Sequence, residues 1–149
     1  MHEHGRAAAS DRKPVTVVTP TLPEWFDDAA ETFQDSTALI AGSRVIGFAE
    51  LAGMSRAIAG DLSGRGVGKG DRVAVWLPNE PEWLAIFFAC ARIGAITVAV
   101  NTRFRAVELS DIFSRIQPKA IFYRSKFRST DFASLIDAAG QTSAALPPV

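Results

Sequence analysis

Residues 64–84 read GRGVGKGDRVAVWLPNEPEWL, four glycines and a lysine running into an apolar segment. Glycine-rich loops carrying a lysine often cradle phosphates, so the first question is whether this one does. The P-loop spacing needs a glycine five residues before the Gly-Lys pair and a Ser or Thr after it. Here Ser63 stands at the first position and Gly70 at the last. The dinucleotide pattern G-x-G-x-x-G also fails, because counting from Gly64 it meets Lys69 and from Gly66 it meets Asp71. The order of elements is reversed as well. A phosphate loop leads from a strand into a helix, whose free N–H groups face the anion. This loop leads from a helical pattern into an apolar run, which places it at the negative end of a helix dipole. The glycines then read as a helix cap and turn, with Arg65 and Lys69 complementing the dipole.

Downstream of the loop the pattern becomes regular. RVAVWLP (72–78) is a continuous apolar run, as expected of a strand covered on both faces. Asn79 is placed to cap the next helix, with Glu82 three residues on and Pro81 in the first turn. That helix (80–94) is apolar nearly all round and should be deeply buried; Cys90 within it reads as an inert core thiol. AITVAV (95–100) predicts a second buried strand, and KAIFY (119–123) a third. Between them, residues 106–117 place Leu109, Ile112, Phe113 and Ile116 on one helical face before Pro118. Residues 131–140 predict a further helix ending at Gly140. Strands alternating with helices through short links imply an α/β fold with a parallel sheet.

Upstream, Leu22, Trp25, Phe26, Ala29 and Phe33 fall at helical spacing, with Pro23 in the first turn. TALIAGSRVIGF predicts two short strands around Gly42-Ser43, and Leu51, Met54, Ile58 and Leu62 mark one face of a helix. Residues 1–19 are small, polar and charged and read as a loose, flexible tail. His2 and His4 lie in it without a third ligand on an ordered element, so no metal site is assigned there.

Composition narrows the function classes. The 149 residues suffice for one core, and 48% hydrophobic with 21% charged residues is ordinary for a globular domain. Sixteen basic and sixteen acidic residues cancel, which offers no net field for nucleic acid or an anionic membrane. No apolar stretch approaches the roughly 20 residues of a membrane span, and the first residues lack a signal-peptide core. A single cysteine fits a reducing compartment, so a cytoplasmic protein is expected.

Read together, Gly66-Val67, Gly70-Asp71, Val73-Ala74, Pro78-Asn79, Gly94-Ala95, Asn101-Thr102-Arg103 and Glu108-Leu109 resemble the opening of an adenylate-forming (AMP-binding) enzyme of the acyl-CoA synthetase or fatty-acid–CoA ligase type. The likeness runs from about Leu22 to Phe122, with Gly47-Phe48, Gln34 and Ala99 departing from the usual residues at structural positions. It implies that residues 20–149 form a partial, flavodoxin-like part of the large N-terminal domain of such enzymes. In that family a carboxylic acid and ATP give an acyl-adenylate, from which coenzyme A displaces AMP. ATP, magnesium and CoA serve the full-length enzymes. The phosphate loop, the acidic magnesium ligand, the ribose aspartate and the adenylation lysine all lie downstream of this segment. The resemblance therefore implies no catalytic and no metal-binding residue here, and no tight binding of the three ligands by this chain alone. It implies a fragment inactive by itself, either from a truncated gene or as one piece of a split enzyme whose complementary chain carries the rest. The one candidate ligand contact is Arg103, whose guanidinium would face the CoA phosphates as in some relatives, against a plain surface pairing with Glu108 or solvation. A non-catalytic remnant or interaction module from the same family is the alternative reading.

Overall fold

The computed structural model describes residues 19–127 and 130–138. The expectations for the tail at 1–18, for His2 and His4, and for the helix end at Gly140 lie outside the described residues.

The chain opens with α1 (Leu22–Thr32), whose first turn carries Pro23 and whose Glu24 carboxylate accepts from the Thr21 N–H (2.7 Å) and hydroxyl (2.8 Å). Phe26 and Ala30 turn inward, while Trp25 and Phe33, although at helical spacing, lie outward and exposed. A hairpin follows, β1 (Thr37–Ala41) with antiparallel β2 (Arg44–Gly47), turned at Gly42 with φ 62°. Its side chains alternate: the facing pair Leu39 and Ile46 packs on the core, and the facing pair Ile40 and Val45 points to solvent. α2 (Phe48–Gly64) then buries Leu51 and Leu62, with Met54 and Ile58 partly buried against the same cores.

β3 (Arg72–Trp76) is the centre of the molecule. α3 (Pro81–Ile93), β4 (Ile96–Ala99), α4 (Ala106–Ile116) and β5 (Ala120–Tyr123) follow in the predicted alternation. The three strands form a parallel sheet in the order β4-β3-β5. Because successive strand residues face opposite ways, Val73 and Val75 join Leu62, Ile86 and Cys90 in a core under α2 and α3. Ala74 and Trp76 join Leu109, Phe113, Ile121 and Phe132 on the other face, under α4 and α5 (Phe132–Ala138). A short β6 (Lys126–Phe127) and β7 (Thr130–Asp131) pair, not read from the sequence, precedes α5.

Three expectations need correction. Glu80, not Asn79, caps α3, at φ −143° and ψ 160°. A residue before proline is held to extended backbone, so Pro81 takes the first helical position and Glu80 the cap. Glu82 consequently does not close a capping box; its carboxylate is buried and accepts from Arg44 at 2.7 Å. Its second oxygen has no described partner, an acidic group steadied by the positive end of α3. Next, β4 is not a buried strand: it pairs only with β3 among the described residues, and Ile96 is 51% exposed. Finally, α3 is not enclosed all round, since Leu84 reaches solvent.

Three helices are tied by one arginine. Arg92 on α3 donates to both oxygens of Asp27 on α1 (2.6 Å each) and to the Ser55 hydroxyl on α2 (2.9 Å). Arg56 adds a bond to Asp27 at 2.9 Å. The Arg92 hydrogen bond, with charge from Arg92 and Arg56, holds the Asp27 carboxyl below the usual aspartate range. A depressed carboxylate adds stability above its unfolded pKa and loses it as pH falls through the folded one. Asp27→Asn should therefore cost about 1–2 kcal/mol at neutral pH, the scale of hydrogen bonds to a charged group. Urea melts should show the gap to the parent protein narrowing as pH drops below about 4. A gap independent of pH would contradict this.

Candidate functional site

Strand order locates the place where a ligand would sit. β3 passes through α3 on one face to β4, and β4 passes through α4 on the opposite face to β5, on the other side of β3. Neighbouring strands whose following helices leave to opposite faces open a crevice at their C-terminal ends. The segments 77–80 and 100–105 border that crevice, and Arg124 lies beside it after β5.

Several polar groups there are held by one another. Arg124 donates to the Glu80 carboxylate at 2.6 Å, joining the end of β5 to the cap of α3. The buried Trp76 indole donates to the Asn101 carbonyl at 2.9 Å. Asn101 Oδ1 accepts from the Arg103 backbone N–H at 2.9 Å, and the Phe104 N–H returns to the Asn101 carbonyl at 3.0 Å, closing a tight turn. Arg105 lays its guanidinium on the carbonyls of Arg103 (3.0 Å) and Phe104 (3.2 Å). Glu108 accepts from the Arg105 N–H at 3.0 Å and caps α4; hydrogen bonds from backbone N–H groups hold its carboxyl low. Arg103 thus does not pair with Glu108. Its side chain is exposed at the rim, and no described residue accepts a hydrogen bond from its guanidinium. A free guanidinium of this kind suits bidentate contact with a phosphate or carboxylate.

The other candidates fall away on geometry. The glycine loop lies at the opposite, N-terminal end of β3, after the C-terminus of α2, where Gly66 (φ 79°) and Gly70 (φ 84°) adopt left-handed backbone. Asp71 accepts from the Gly68 N–H (2.8 Å) and Lys119 (2.9 Å), and these contacts hold its carboxyl low. The stem of Lys69 covers Gly94, where an added Cβ would come within 3.2 Å of Lys69 Cγ. Cys90 is fully buried, and burial pushes its thiol pKa up, away from thiolate chemistry. Among the described residues no group of three or more His, Cys, Asp or Glu is gathered that could hold a metal ion. An open groove beside Val107, Ser110 and Ser114 includes Asp111, already paired with Arg115. No described helix is long and apolar enough to cross a membrane.

Sequence reading placed Arg103 at this rim but missed its supports. The Trp76–Asn101 and Glu80–Arg124 contacts join residues 25 and 44 positions apart, with no local signal at either end.

Known proteins agree with this architecture. The model of the AMP-binding enzyme family matches residues 26–146. A methyl-dioxo-octahydroindenyl-propanoyl:CoA ligase of Rhodococcus jostii (strain RHA1) is 36% identical over 118 residues, 78% of this chain and 23% of that protein. Long-chain-fatty-acid–CoA ligase FadD13 of Mycobacterium tuberculosis (strain CDC 1551 / Oshkosh) is 37% identical over 76 residues, 51% of this chain and 15% of that one. A benzoate CoA ligase of Burkholderia xenovorans LB400 superposes with a TM-score of 0.73 over 85% of this chain and 25% of its own, at 16% identity, a likeness of fold. The chain spans less than a quarter of the length of these curated relatives.

Removing a solvated, unpaired arginine and a paired one should differ. Arg103→Ala should leave stability within about 0.5 kcal/mol of the parent, whereas Arg124→Ala, which strands Glu80, should cost about 1 kcal/mol or more. Urea midpoints measure both; equal losses would contradict the assignment of Arg103 as free.

Proposed function

Since the chain belongs to the AMP-binding enzyme family, we propose that it forms the N-terminal scaffold of an ATP-dependent acyl-CoA ligase. In this reading residues 20–149 belong to the ligase domain, residues 1–19 lie outside it, and the protein works in the cytoplasm, where ATP and CoA are supplied. The overall reaction joins a carboxylic acid to coenzyme A. A carboxylate oxygen attacks the α-phosphorus of ATP and expels pyrophosphate; the CoA thiolate then attacks the acyl carbon and expels AMP. The observation that carries the reading is the family match over 26–146, with CoA ligases among the relatives.

The role of these residues is the fold and one ligand contact. The sheet and its helices provide a rigid floor, and Arg103 would meet the phosphates of CoA at the rim. Magnesium neutralises the triphosphate during adenylation in such enzymes, and no step of that chemistry is assigned to the described residues. Fatty acids are the substrate class favoured by the VNTRF wording of residues 100–104 and by the long-chain ligase among the relatives. Further ligase sequence, on a complementary chain, would cover the open side of β4 around Ile96 and the outward pair Ile40 and Val45. Those exposed apolar side chains equally favour the second reading, a non-catalytic interaction module.

The 149 residues alone should give no ATP–pyrophosphate exchange with any fatty acid, and measurable exchange would overturn the scaffold role. In nuclear magnetic resonance titrations, CoA should weakly shift the Arg103 amide, and Arg103→Ala should abolish the response of its neighbours. If neither changes, the CoA contact is wrong. A chain that is monomeric with a sharp melt, and unresponsive to CoA, would favour the interaction module.

A further inference from the structure

Trp76 ends the central strand with its ring fully buried, edge-on to Phe132 at 4.2 Å between centroids and 70° between planes. Packing alone would be served by any large apolar side chain in this cluster. A buried indole also carries an N–H that must find an acceptor, since leaving it unpaired costs on the order of 1–3 kcal/mol. The acceptor is the Asn101 carbonyl, beyond the end of β4. That same carbonyl closes the turn by accepting from Phe104, while the Asn101 side chain accepts from the Arg103 N–H. Three hydrogen bonds therefore converge on Asn101, and the only one that originates in the core is that of Trp76.

We propose that Trp76 is a positioning residue for the arginine loop: its indole N–H anchors Asn101 to the sheet and so fixes where the free Arg103 guanidinium stands above the crevice. The identity of the ligand, CoA, rests on the reading given under Proposed function; the anchoring does not. Without the indole bond, the turn is still tied at Val100, whose N–H donates to the Val75 carbonyl, and by Phe104 packed on the core. Asn101 itself, however, loses its bond to the core, and the guanidinium samples a wider volume. An anion contact that depends on bidentate geometry weakens accordingly.

The test compares Trp76→Phe, which keeps an aromatic ring and removes the N–H, with Ile136→Val, which trims the same core cluster without touching the bond. Both are made in the full 149-residue chain. Amide hydrogen exchange at Arg103 and Phe104 should accelerate about tenfold in Trp76→Phe, beyond the change at β3 amides, as loss of one hydrogen bond predicts. Ile136→Val should show no such local excess. Equal behaviour of the two variants at Arg103 and Phe104 overturns the proposal. If Trp76→Phe does not fold, the parent's Trp76 indole N–H decides: exchange as slow as core amides supports the anchor, and exchange at the rate of a free indole overturns it. Titration with CoA separates the two claims. A CoA response at Arg103 in the parent that weakens severalfold in Trp76→Phe supports both. Loosened turn amides in the variant, with no CoA response in the parent, keep the anchor and sink the CoA contact.

Discussion

The burial of β3 on both faces is the constraint from which the rest of the arrangement follows. Val73, Ala74, Val75 and Trp76 are each fully buried, and the strand is hydrogen-bonded on both sides by parallel neighbours. A strand with no solvent face needs a layer above and a layer below. Parallel neighbours in turn need crossover helices, so α3 and α4 serve both as connections and as the two layers. With β3 first in sequence but central in space, the second crossover must return past it to the far side. That return separates the helices following β3 and β4 and opens the crevice at their C-terminal ends. The position of the candidate site is thus a consequence of one strand's apolar sequence and its place in the chain order.

Around this centre the peripheral elements are secured by a few long-range polar contacts. Arg92 gathers α1, α2 and α3 through Asp27 and Ser55; Arg44 binds the hairpin to the start of α3 through Glu82; Arg124 binds the end of β5 to Glu80. Each is partly shielded, so each acts in a lower dielectric than a surface pair and fixes orientation as well as contributing energy. Apolar burial brings these helices together without choosing their relative angle. A bidentate arginine does choose, because its planar fork accepts a carboxylate in few directions. The start of α3 receives two single arginine bonds, from Arg124 to Glu80 at the cap and from Arg44 to Glu82 in the first turn, which fix the loop directly after β3.

How much of this was legible follows from which forces are local. The apolar run at 72–76, the helical spacing through Leu109 and Phe113, and the Gly42-Ser43 turn record short-range preferences, and the sequence displays them in order. The family likeness added that the rim after β4 matters, through Asn101-Thr102-Arg103. The failures have physical causes. Asn79 is the better capping residue by propensity, yet Pro81 fixed the start of α3 two positions beyond it. Ile96-Thr97-Val98 reads as buried because its residues are apolar or β-branched, whereas exposure depends on what pairs with its outer edge, which composition does not encode. Trp76 was read as one more core residue, because its N–H gives no sign in sequence of the carbonyl it reaches.

The two ends of β3 show why a glycine-rich loop with a lysine is here a cap and the arginine loop is the candidate site. At the N-terminal end the chain arrives from the C-terminus of α2, whose terminal carbonyls carry partial negative charge. The loop's polar groups are already committed: Asp71 takes the Gly68 N–H and Lys119, and Lys119 also reaches the Gly66 carbonyl. An anion placed there would face an aspartate and displace bonds already made. At the C-terminal end the segment after β4 leads into the N-terminus of α4, and the carboxylates within reach, Glu80 and Glu108, are occupied by Arg124 and by backbone N–H groups. Arg105 is spent on two carbonyls. Arg103 keeps its charge without a described partner, beside a helix end whose dipole has the same sign. Both ends carry basic residues, so composition does not separate them. The direction of the strand does, through the sign of the helix end it meets and through which cations the fold has already used.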